Sequence, residues 1–102
     1  MRTVDLSLPA REHTSRTARL TRHLEARLLD FGPGGPEVLA ASPEQGRITV
    51  RFPGHDTAEV LAGLEEKGIL ACSGEGCAVF HLNGRVAFED LDYVWGCLFE
   101  LL

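Results

Sequence analysis

The sequence predicts an α+β domain, with an antiparallel sheet of about three to five strands and helices packed on one face. Three observations predict it. Leu20, Leu24 and Leu28 recur with arginines on the intervening faces, the period of a helix with one buried stripe. Arg47-Ile48-Thr49-Val50-Arg51-Phe52 alternates strictly, as a strand does when one face is buried and the other is open. Helical and strand-like segments follow one another as helix, strands, helix, strands and helix. That order suits an antiparallel sheet with its helices segregated to one side.

Residues 1–12 read as a lead-in, with Pro9 near its end. Over residues 14–31 the leucine stripe, extended by Ala18 and Phe31, predicts the first helix. Gly32-Pro33-Gly34-Gly35-Pro36 stops it, because glycine admits left-handed backbone and proline cannot continue the ladder. This run is a connector and not a phosphate loop, since no strand precedes it and no Lys-Ser/Thr closes it. Residues 37–41 form a short strand and Ser42-Pro43-Glu44-Gln45-Gly46 a turn. In the alternating strand, Ile48, Val50 and Phe52 point one way and Arg47, Thr49 and Arg51 the other; Pro53-Gly54 breaks it.

Asp56-Thr57-Ala58-Glu59 has the form of a capping box, Asp56 accepting from the Glu59 N–H and Glu59 reaching back. Its helix runs through Val60, Leu61 and Leu64 to a stop at Gly68. Residues 69–72 and 77–82 are strands around the tight loop Ser73-Gly74-Glu75-Gly76. Asn83-Gly84 predicts a further hairpin that returns through Arg85-Val86-Ala87-Phe88. Glu89 and Asp90 favour a helix start by charge–dipole attraction, and Leu91, Val94, Trp95, Leu98, Leu101 and Leu102 give that helix its apolar stripe.

Composition narrows the function classes. A chain of 102 residues holds one domain with one modest core. Residues 1–31 carry six arginines against four carboxylates, a net +2, and residues 32–102 carry four cations against eleven carboxylates, a net −7. An acidic body argues against nucleic-acid binding, which needs clustered Lys and Arg on phosphates. No apolar run approaches the roughly 20 residues of a membrane span. The N-terminus lacks the apolar core of a secretory signal, so a cytoplasmic location is expected. Three cysteines at irregular spacing form no disulfide framework and suit a reducing compartment.

The segment Glu66-Lys67-Gly68-Ile69, leading into Ser73-Gly74-Glu75-Gly76-Cys77-Ala78, resembles the thiol loop of the class V aminotransferase and cysteine desulfurase family. Gly84-Arg85-Val86-Ala87-Phe88 before a last helix adds to it, as does the alternating strand followed by the helix through Leu61 and Leu64. The resemblance covers residues 14–102 and implies the fold of the small C-terminal domain of these fold type I pyridoxal-phosphate enzymes. It places Cys77 at the nucleophilic, persulfide-forming cysteine and Arg85 near the arginine that holds the substrate carboxylate. Cys72 stands where the family commonly has arginine, Gly76 where it commonly has histidine, and the stretch after Arg85 is several residues shorter. The only lysine, Lys67, lies at a helix end, and the large domain with its pyridoxal lysine has no counterpart in these residues. The resemblance thus implies the fold without the cofactor machinery, so no cofactor is expected.

Two functions of different class follow. One is a non-catalytic protein-binding or assembly module, in which a homo-oligomer or a partner protein covers the open sheet face. The other is a sulfur-accepting or relaying thiol protein, or half of a split pyridoxal enzyme, using Cys77. A plainer small-ligand regulatory domain is also open. Cys77 is either an accessible thiol after a Gly-flanked turn or a small hydrophobe at the start of a strand. Arg85 is either a carboxylate holder or a cross-strand surface charge. Cys72, Cys77 and His81 are soft ligands close in sequence but lack Cys-x2-Cys spacing, so no metal is expected. Arg47 and Arg51 form a small basic strip that can meet an acidic partner. Cys97 reads as core, Trp95 with Tyr93 and Phe99 as core and edge, and His55 as a loop residue. His13 and His23 have no acid or nucleophile at a telling spacing.

Overall fold

The computed structural model describes residues 3–102, so Met1 and Arg2 of the lead-in lie outside the described residues. The elements are β1 (Val4–Leu6), α1 (Ser15–Leu29), β2 (Glu37–Ser42), β3 (Arg47–Arg51), α2 (Thr57–Glu66), β4 (Ile69–Gly74), β5 (Cys77–His81) and α3 (Phe88–Leu101). Hydrogen-bonded ladders join the five strands in the order β1-β4-β5-β3-β2. The fold is α+β with the helices on one face of the sheet, as the sequence predicts. The sheet is mixed, because β1 emerges from the lead-in and pairs parallel to β4, Val4 with Ile69 and Leu6 with Ala71.

The helix period and the strand period meet in one core. Leu20, Leu24 and Leu28 of α1 are at most 1% exposed, and Ile48 and Val50 of β3 and Phe80 of β5 are fully buried against the helix layer. Leu64 of α2 and Leu91 and Leu98 of α3 complete it, with Cys97 buried beside them. Thr14 caps α1: its hydroxyl accepts from the Thr17 N–H at 3.2 Å, and the Thr17 hydroxyl accepts from the Thr14 N–H at 2.9 Å. Asp56 caps α2 by accepting from the Ala58 N–H at 3.2 Å, not through the expected exchange with Glu59. At the far end of α2, the Tyr93 hydroxyl of α3 donates to the Lys67 carbonyl at 2.7 Å, satisfying a carbonyl the helix cannot.

Two turns differ from their sequence readings. Glu75 and Gly76 both adopt positive φ, 36° and 83°, which makes the link from Gly74 to Cys77 a two-residue hairpin whose twist suits the flanking strands. Asn83-Gly84 is not a hairpin. No return strand follows it among the described residues; residues 82–87 are a loop, and α3 begins at Phe88. The Asn83 amide instead donates to the Asp5 carbonyl at 3.1 Å and the Leu8 carbonyl at 3.0 Å, while its oxygen accepts from the Arg85 N–H at 2.9 Å. Tertiary carbonyls thus claim a side chain that locally favours a turn.

Candidate functional site

The strand alternation that buries Ile48, Val50, Ala78 and Phe80 leaves the opposite side chains on a face no helix covers. Register fixes their neighbours. Ala40, Thr49, Val79 and Cys72 stand in one row across β2, β3, β5 and β4. His81 lies opposite Arg47 in the next outward row, and Arg51 pairs with Glu37 at 2.7 Å at the other end. Val79, Thr49 and Cys72 are half-buried, and Arg47 and Arg51 are exposed. The face is therefore small-residued and partly apolar at its centre, with charge at both ends.

Cys77 opens β5 on this face and is half-buried. Its Sγ donates to the Gly74 carbonyl across the hairpin at 2.8 Å. Cys72 pairs with Val79 while Cys77 pairs with Gly74, so the two thiols are diagonal neighbours on one face. The Cys72 Sγ donates to the Ser7 carbonyl at 3.4 Å. Cys77 and His81 share that face, as their spacing implies, but Val79 stands between them. Four residues of strand separate them by about 13 Å, too far for one metal or one hydrogen bond. Among the described residues no group of three or more His, Cys, Asp or Glu is placed to hold a metal ion. Burial, and then the Arg47 guanidinium across the strand pair, pushes His81 below the ordinary imidazole range.

Arg85 is not brought to Cys77. Cys77 begins β5, whereas Arg85 lies beyond the other end of that strand, exposed in the loop to α3. It lines a groove of about 540 Å3 with Leu8, Pro9, Arg11 and Glu12. Lys67 is tied to Glu100 at 2.8 Å, and that hydrogen bond and its charge raise the lysine above its ordinary value. A raised ammonium is the reverse of what an imine-forming lysine needs.

One cluster was invisible in the sequence. Asp92 of α3 accepts from Arg27 Nε and bonds His23 Nε2, both at 2.9 Å, and so joins α3 to α1. His23 finds its acid 69 residues away, a separation no local spacing reveals. The hydrogen bond from His23, aided by Arg27, holds Asp92 below the usual carboxylate range. Beside it Arg27 sits 5.1 Å from the Trp95 ring centroid, and Trp95 packs on Phe31 and Phe99. The aromatic set is interhelical packing with an exposed rim at Phe99.

No model of a known protein family matches this chain, and no curated protein matches it. No helix among the described residues is long and apolar enough to cross a membrane.

Proposed function

We propose that the chain is a non-catalytic protein-binding or assembly module, similar in fold to the small domain of cysteine desulfurase-like enzymes, that docks through its open sheet face in the cytoplasm. The observation that carries this reading is the uncovered row Ala40–Thr49–Val79–Cys72. A sheet face with small and apolar side chains at its centre and charges at its ends offers a flat surface for a second layer, from a partner protein or another copy. Free Cys72, Cys77 and Cys97 support a reducing compartment.

The test places a photo-crosslinking residue at position 79 in cells, with position 22 on the exposed side of α1 as control. Crosslinks from 79 to one defined protein chain, exceeding those from 22, are expected. Equal, diffuse labelling from both positions sinks the docking reading.

A second reading rests on Cys77, which stands half-buried at the mouth of a hairpin. As a sulfur acceptor, or as one part of a split pyridoxal enzyme, its thiol must first leave the Gly74 carbonyl. Native protein and Cys77→Ser are incubated with a persulfide donor, and mass spectrometry reads added sulfur. Sulfur on the native chain that is absent from Cys77→Ser supports relay; equal labelling of both removes it.

A further inference from the structure

Five of the nine described Lys and Arg side chains have partners. Arg16 donates to the Gly84 and Val86 carbonyls, Arg27 pairs with Asp92, Arg47 with Gln45, Arg51 with Glu37 and Lys67 with Glu100. Arg11, Arg19, Arg22 and Arg85 have none among the described residues, and of these Arg11 and Arg85 both line the groove between the lead-in and the Asn83–Arg85 turn. Glu12 is the one carboxylate among its lining residues, so the two guanidiniums outweigh it by one charge. Two guanidiniums against one carboxylate leave an excess positive charge in this concavity, and an anion bound there neutralises it.

We infer that this groove binds a phosphate monoester. The Arg11 and Arg85 guanidiniums take the phosphate oxygens, and Leu8 and Pro9 pack on the organic body. Charge and size select this class. A phosphate monoester carries about −1.5 to −2 charges at neutral pH with three acceptor oxygens, enough for two donor forks at once. A carboxylate has two oxygens and suits one fork. A groove of about 540 Å3 falls in the range of small-molecule sites and is too roomy for inorganic phosphate alone. The Asn83 side chain fixes the turn that presents Arg85, since its oxygen holds the Arg85 N–H at 2.9 Å. None of the groove's lining residues belongs to the open-face row Ala40–Thr49–Val79–Cys72.

The experiment titrates the full chain with phenyl phosphate at constant ionic strength and follows backbone amide resonances by NMR. Saturable shifts confined to Gly84, Arg85 and the residues around Arg11 are expected. Arg11→Ala and Arg85→Ala should each weaken binding about tenfold, and the double variant should abolish it. Arg19→Ala and Arg22→Ala, exposed on α1, should leave it unchanged. All four side chains lie outside the core, and circular dichroism checks that the variants fold. Benzoate binding as tightly as phenyl phosphate, shifts that chloride reproduces, or affinity unaffected by Arg11→Ala and Arg85→Ala overturns the inference.

Discussion

Asn83 is 7% exposed and spends its amide on two carbonyls of the N-terminal segment and its oxygen on the Arg85 N–H. Truncation to alanine leaves part-buried carbonyls of Asp5 and Leu8 and the Arg85 N–H without this partner, a loss of about 1–3 kcal/mol for each group that water cannot reach. Asn83→Ala should therefore destabilise the fold by about that much, read as a lowered urea midpoint, whereas a turn asparagine on the surface should cost about a few tenths of a kcal/mol; equilibrium unfolding separates the two. Asp92 makes a second residue-scale case, through pH. Its folded pKa is depressed, chiefly by the His23 hydrogen bond and then by Arg27. A depressed carboxylate contributes stability above its unfolded pKa and loses it as pH falls through the lower folded value. Thermal unfolding followed from neutral pH down to pH 3 and below should thus show an acid limb that Asp92→Asn flattens. An unchanged limb in that variant rules out Asp92 as its source. The carboxylate is 44% exposed, so solvent screening keeps the effect small.

At the scale of elements, the turn before β3 depends on one backbone position. Gly46 has φ 63°, and a Cβ there would lie 2.9 Å from the Leu82 carbonyl oxygen, itself backbone. The Leu82 N–H also donates to the Gly46 carbonyl at 2.7 Å, so neither chain can retreat cheaply. Gly46→Ala should destabilise by about 1–3 kcal/mol from positive φ and crowding together, read as a lowered denaturant midpoint. Gly54→Ala, also at positive φ but with open space around its Cβ, should cost less. The three helices and β3 were legible because their signals are local: Leu20, Leu24 and Leu28 share a face whatever the rest of the chain does. The row across the open face was legible in part. Alternation placed Thr49 and the arginines there, but only register sets Val79 beside Thr49 and Cys72. The parallel pairing of β1 was not legible, because three short residues carry little period and their partners lie far along the chain. Asn83-Gly84 misled for the same reason: its turn propensity is local, and the carbonyls that overrule it belong to residues 5 and 8. Arg85 consequently sits in a loop away from Cys77, and no sequence spacing brought Arg11 to its side.

For the molecule as a whole, core and open face are separate layers, and β1 is the piece that bridges the N-terminal segment to the far half of the sheet. β4 divides its partners: Ile69, Leu70 and Ala71 pair with β1, and Cys72, Ser73 and Gly74 pair with β5. Val4 and Leu6 are 2% and 0% exposed, so three residues place two full side chains in the core. Burying each is worth about 1.5–3 kcal/mol, roughly 3–6 kcal/mol together. Domains of this size have about 5–15 kcal/mol in all, so β1 decides whether the fold stands well clear of its threshold. Removing residues 1–8 should lower the melting temperature sharply. It should also expose the Ile69–Ala71 amides to hydrogen exchange while those of β3 and β5 stay protected, because β2, β3, β5 and the second half of β4 keep their own ladders. An unchanged melting temperature would mean that β1 docks without contributing to the core. Uniform loss of protection would mean that the sheet folds as one unit, with β1 inside it.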